Sequence, residues 1–123
     1  YVFYNNGELH TCDISIKNIN NAKKFTKKFS KNITFYNSDS LIFLEKFYKK
    51  IDLLYLDSLD GHDVIASSNH QLNEIKIAIT KLHNKSLVLL DDKGSKTNLS
   101  IDFLKDLNYK IIYETDFQVL FSK

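Results

Sequence analysis

Arginine, methionine and proline are absent from this 123-residue chain, cysteine occurs once and glycine three times. Each shortage excludes something. With every basic side chain a lysine and a net charge of only +2, the bidentate guanidinium contacts that nucleic-acid readers favour are missing, and no nucleic-acid partner is expected. Cys12 has no second thiol to pair with, and the apolar runs fall far short of the roughly 20 residues a membrane-spanning helix requires. A cytoplasmic protein with no membrane partner is the expectation. The lack of methionine leaves no start residue, and the chain opens directly on the apolar Tyr1-Val2-Phe3-Tyr4, so we read it as cut from something longer. No repeat or Pro/Gly-rich linker divides it, and its length suits one domain, residues 1–123.

Short apolar runs alternate with amphipathic stretches, which predicts βαβ units. Glu8 to Asp13 reads as a strand, followed by a helix from about Ile16 to Phe29 with Ile16, Ile19, Ala22, Phe25 and Phe29 on its inner face and its lysines solvated. Ile33 to Tyr36 is the next strand. Asn37-Ser38-Asp39-Ser40 then caps a helix that turns Leu41, Leu44, Phe47 and Tyr48 inward. Two runs stand out: Ile51 to Asp57, IDLLYLD, and Ser86 to Asp92, SLVLLDD. Such runs without polar alternation suit strands buried on both faces, so both are expected to be central strands of a parallel sheet. Between them, Ser58 to Ala66 is a polar loop with Gly61, and Ser68 stands three residues before Gln71, the spacing of a capping box. The helix it opens presents Leu72, Ile75, Ile79 and Leu82. A loop with Gly94 leads to a last helix from about Leu99 to Leu107. Finally, Tyr109 to Tyr113 and Phe117 to Phe121 are separated by three residues only, too few for a helical crossover, and must pair antiparallel.

Both apolar runs end in carboxylates, and in open α/β sheets the carboxyl edge is where ligands bind. Taken in order, LHTCDIS, FYNSDSLIFL, KIDLLYLDS with HQLNEI, SLVLLDD and YKIIYETDFQVLFSK resemble the class I S-adenosylmethionine-dependent methyltransferases, especially small O-methyltransferase-like members. The resemblance implies a Rossmann-like α/β fold, mostly parallel with a C-terminal antiparallel hairpin, and methyl transfer to an oxygen of a small molecule. It implies that Asp13 accepts hydrogen bonds from the cofactor ribose, that Asp39 and Ser40 lie against the adenine, and that Asp57 also meets the cofactor. Like the metal-dependent members, Asp57, Asp91 and Asp92 would hold a divalent cation, and oxygen-only ligands suggest Mg²⁺. Three converging carboxylates would otherwise repel one another. His62, in the loop after Asp57, is the candidate general base. His70 and Glu74 match a His and Glu of such sequences and are read as structural.

Each of these residues also has a plainer reading. Asp13 and Asp39 suit helix starts, the three later acids suit strand ends and caps, and a loop histidine is most simply solvated. Two departures from the family pattern stand beside the matches. Its first strand and glycine-rich loop are absent, since no G-x-G occurs. That places the chain as the carboxyl-terminal portion of a methyltransferase domain, with strand edges left free for association into a homo-oligomer. Catechol-type enzymes also carry a lysine three residues after the first metal acid, where Asp60 stands here. A receiver domain places its acidic pair before the phosphoacceptor strand and not after it. A nicotinamide-dependent dehydrogenase lacks the closing hairpin. The alternative from a different class is a catalytically inactive truncated fragment or interaction module with the same fold.

Overall fold

Two parallel strand pairs carry the fold, one in each of two units, Tyr1–Lys46 and Phe47–Lys123. The computed structural model describes residues 7–59 and 63–123. The readings of Tyr1–Tyr4, Asp60, Gly61 and His62, the candidate base included, therefore lie outside the described residues.

In the first unit, β1 (Leu9–Asp13) and β2 (Ile33–Asn37) run parallel, from Leu9 opposite Ile33 to Asp13 opposite Asn37. Their crossover is α1 (Ile16–Phe25), closed at its start by the Ser15 hydroxyl, which accepts from the Asn18 N–H. The helix stops four residues short of the expected Phe29. Thr26 ends it by donating its hydroxyl to the Ala22 carbonyl at 2.7 Å, and the chain tightens into a 3₁₀ turn over Lys27–Asn32. Of the five side chains expected inward only Ile19 is buried, while Ile16 is exposed and Phe25 is 87% exposed. After β2, Asp39 caps α2 (Ser40–Lys46) by accepting from the N–H groups of Leu41 and Ile42 at 2.9 and 3.2 Å. Leu44 turns inward as expected, but Tyr48 is exposed.

The second unit contains β3 (Ile51–Leu56), α3 (Val64–Ala78), β4 (Leu82–Asp91), α4 (Asn98–Asp106), β5 (Lys110–Glu114) and β6 (Gln118–Ser122). Its sheet has the order β3-β4-β6-β5. β3 and β4 are parallel, with Leu54 opposite Val88 and Leu56 opposite Leu90. β6 pairs antiparallel with both β4 and β5, so the closing hairpin forms as the three-residue connection requires. Val88 and Leu90 share one sheet face with Phe121 and Val119, their register partners, and all four are fully buried, as are Ile75, Ala78 and Leu104 from the helices.

β3 and the third helix also depart from the sequence expectation. β3 has β4 as its one strand neighbour among the described residues, and the side chains of its second face are half exposed, Leu53 at 53% and Tyr55 at 48%, against buried Leu54 and Leu56. An apolar run looks the same whether one face or two are buried, because leucine tolerates exposure. The third helix also begins earlier than the capping box suggests. Asp63 is its N-cap, accepting from the Ala66 N–H at 2.9 Å, so Ser67, Ser68 and Gln71 fall inside the helix and are buried. A carboxylate is the stronger acceptor for the free N–H groups of a helix start.

Candidate functional site

In the parallel register of β3 and β4, Leu56 faces Leu90, so Asp57 and Asp91 leave the sheet side by side at its carboxyl edge. Asp92 follows in the left-handed region, with φ 58°. The structure thus brings together Asp57, Asp91 and Asp92. What surrounds them was not read from the sequence.

Lys96 reaches back from the turn before α4 with its side chain 1% exposed. Its Nζ donates to the carbonyls of Ser58 at 3.0 Å and Leu59 at 2.9 Å, and it pairs with Asp92 Oδ2 at 2.8 Å and Asp57 Oδ1 at 3.6 Å. Leu59 holds φ 56°, a conformation that strains a bulky side chain by roughly 1–3 kcal/mol and persists only where the surroundings enforce it. In that conformation its carbonyl meets the ammonium. Gly94, at φ 86°, lets the chain turn between Asp92 and Lys96 where an L side chain would be strained.

Asp91 is held differently. Its Oδ2 accepts from the Tyr55 hydroxyl and from Gln118 Nε2 at 3.0 Å, and its Oδ1 from the Asp92 N–H at 2.9 Å. Burial pushes its pKa up, but these three donors outweigh burial and hold the carboxyl below the usual carboxylate range. Asp57 goes the other way. Partial burial, then the negative charge of Asp91, lifts it above that range against the pull of Lys96. Its side chain is 51% exposed, so this more basic carboxylate faces solvent. Tyr55 is kept protonated well beyond neutral pH by burial, by its bond to Asp91 and by the nearby Asp57, whose Oδ2 lies 3.5 Å from the hydroxyl. Beneath the rim, the buried Glu74 accepts from the Ser58 hydroxyl at 2.6 Å, and His70 Nε2 lies 3.5 Å from the same oxygen. The pair is a brace for the loop that carries the two carbonyls.

The expected Mg²⁺ centre does not fit this donor set. Among the described residues no group of three His, Cys, Asp or Glu side chains could hold a metal ion. Mg²⁺ needs six near-octahedral oxygens, whereas the oxygens here are already engaged, those of Asp57 and Asp92 by the Lys96 ammonium and those of Asp91 by Tyr55, Gln118 and the Asp92 N–H. The repulsion that called for a cation is real; a lysine answers it.

At the carboxyl edge of the other pair, Asp13 and Asp39 are also carboxylates at strand ends. Asp13 Oδ1 accepts from the Ser15 N–H at 2.7 Å and Oδ2 from Asn18 Nδ2 at 3.0 Å. A carboxylate has about four acceptor positions, so this one retains capacity for the two O–H donors of a ribose diol, and the residue fits that group. Asp39 caps α2, and Ser40 is the first residue of that helix. Lys96, Tyr55 and Gln118 escaped sequence reading. The one available signal for Lys96 is its spacing of four from Asp92.

No family model matches the sequence, and no curated protein matches it. Solved structures do. A methyltransferase of Podospora anserina with S-adenosylhomocysteine bound matches with a TM-score of 0.72 at 13% identity, over 94% of this chain and 60% of that one. The precorrin-6y C5,15-methyltransferase of Geobacter metallireducens gives 0.72 at 14% identity, over 97% and 68%. The N-methyltransferase NodS of Bradyrhizobium japonicum gives 0.66 at 12%, over 94% and 73%. The chain thus has the Rossmann-like fold of the class I methyltransferases, and it spans under two thirds of the Podospora protein. Among the described residues no helix is long and apolar enough to cross a membrane.

Proposed function

We propose that the chain serves S-adenosylmethionine-dependent methyl transfer to an oxygen of a small molecule. The observation that carries this reading is the acidic rim after β3 and β4, with the raised, solvent-facing carboxyl of Asp57 at its edge. Fold alone leaves the acceptor atom open, since NodS is named for nitrogen and the precorrin enzyme for carbon positions. The rim favours oxygen. A hydroxyl acceptor must lose its proton as it is methylated, and a carboxylate made more basic by partial burial and by the charge of Asp91 is suited to take it.

When bound, the cofactor supplies a methyl group on a cationic sulfonium. Asp13 accepts the ribose hydroxyls, while Asp39 and Ser40 border the adenine. At the rim, three carboxylates against one ammonium leave surplus negative charge, which favours a cation. Asp57 receives the acceptor's proton, and the Tyr55 hydroxyl, held protonated, orients the acceptor oxygen. Much of the remaining rate enhancement comes from alignment of nucleophile and methyl carbon. Neither metal, nucleic acid nor membrane is required for this step.

Calorimetric titration with S-adenosylhomocysteine tests the reading. Saturable binding is expected, weakened roughly tenfold or more in Asp13→Ala by loss of hydrogen bonds to a charged group. Absence of binding by the folded chain up to millimolar ligand would overturn it and favour an inactive module of the same fold.

A further inference from the structure

We propose that Lys96 is a resident cation, an ammonium that permanently fills the place a divalent metal would need in this rim. The inference deepens the functional reading by stating which cation its site already holds. Its test reads metal binding and melting and not methyl transfer, so either idea can fail alone.

The case rests on how completely the ammonium is enclosed. A lysine side chain with 1% exposure is costly unless its charge is paired and its N–H groups are satisfied. Here four oxygens surround Nζ: the carbonyls of Ser58 and Leu59 and the carboxylates of Asp92 and Asp57. Carbonyls and carboxylates together are the donor set of a hard cation. They come from the two loops that follow β3 and β4, so the ammonium ties those loops together as a metal would. Two of the four donors belong to residues at positive φ, Leu59 and Asp92. At Leu59 this conformation turns the backbone carbonyl toward the ammonium.

Two consequences follow. A divalent ion cannot enter while Lys96 is in place, because like charge and occupied volume both exclude it. The acceptor is then engaged through Asp57 and Tyr55, single hydrogen-bonding groups, and not chelated through two adjacent oxygens on a metal. Substrates with one reactive hydroxyl suit such a site as well as vicinal diols do.

Shortening the lysine should convert the site. In Lys96→Ala the four oxygens lose their cation and gain space, and a mixed set of carbonyls and carboxylates from two loops suits Ca²⁺, with its flexible coordination, better than Mg²⁺. Thermal melting is measured for wild type and Lys96→Ala in excess chelator, with CaCl₂ and with MgCl₂. The wild-type midpoint is expected to be the same in all three. The variant is expected to melt lower in chelator and to gain roughly 4 °C or more with Ca²⁺. A rise in the wild-type midpoint with either ion, or a folded variant indifferent to both, would overturn the proposal. Because the variant could fail to fold, Mn²⁺ binding to the wild type is measured by equilibrium dialysis as a second arm. No stoichiometric Mn²⁺ is expected at submillimolar concentration. One Mn²⁺ per chain, lost in Asp92→Asn, would overturn the proposal regardless of the variant.

Discussion

The two units end their parallel strands in the same way, with aspartates at the carboxyl edge, yet use those acids differently. In Tyr1–Lys46, Asp13 and Asp39 turn back onto the helix starts that follow them and accept backbone N–H groups within three residues. In Phe47–Lys123, Asp57 reaches a buried lysine far along the chain, which Asp92 pairs from four residues away, and Asp91 reaches a tyrosine and a glutamine on neighbouring strands. Local satisfaction needs little support from the core. Long-range satisfaction needs a rigid frame, and the second unit has one: Val88, Leu90, Val119 and Phe121 are fully buried beneath the rim strands, whereas the described core of the first is Ile19, Ile33 and Leu44.

The difference can be broken most forcefully at Lys96. Lys96→Met keeps the side chain's length but leaves two carboxylates and two carbonyls without their donor. A loss of roughly 1–3 kcal/mol in denaturant unfolding is expected, because the carbonyls of Ser58 and Leu59 lose their donor, whereas the half-exposed carboxylates of Asp57 and Asp92 turn to water. Among the described residues of the first unit no charged side chain is buried in this way. There, Asp39→Ala should cost about 1 kcal/mol, the usual value of a helix cap, visible as faster amide exchange at Leu41 and Ile42.

A finer comparison lies within the rim itself. The carboxyl of Asp57 is raised in the fold, so its contribution favours folding below its unfolded value near ~3.9 and is lost as pH rises through the folded value. That of Asp91 is lowered, so its contribution is present above the unfolded value and lost as pH falls through the folded one. Melting from pH 7 to pH 3 should therefore fall less steeply in Asp91→Asn than in wild type. Asp57→Asn should raise the midpoint at pH 7, by at most about 4 °C, and leave pH 3 unchanged. Equal pH profiles for the two variants would contradict the opposed shifts.

The pattern of what was legible follows the range of each interaction. The order of strands and helices, the parallel crossovers and the closing hairpin were readable because periodicity and connection length are local. The carboxyl-edge gathering of Asp57, Asp91 and Asp92 followed from parallel register. Lys96 was missed because any lysine defaults to solvent, and only three-dimensional placement shows that four oxygens from two loops enclose it. The same limit produced the Mg²⁺ expectation: the charge imbalance was visible, its resolution was not. The start of α3 was misplaced because Ser68 and Gln71 have capping-box spacing but lie within a helix already opened by Asp63. Phe25 and Tyr48 were read inward although exposed, since periodicity says which face a residue occupies and not whether anything covers it.

Labelled methyl transfer from S-adenosylmethionine to a panel of small hydroxyl compounds, in excess chelator, tests the central claim most directly when wild type and Asp57→Asn are compared. Wild type should transfer despite the chelator, with kcat/KM rising as Asp57 ionises. Asp57→Asn should be slower by roughly a hundredfold or more at saturating S-adenosylmethionine. Transfer by the variant at the wild-type rate, or wild-type transfer abolished by chelator, would contradict a metal-free rim in which Asp57 takes the proton.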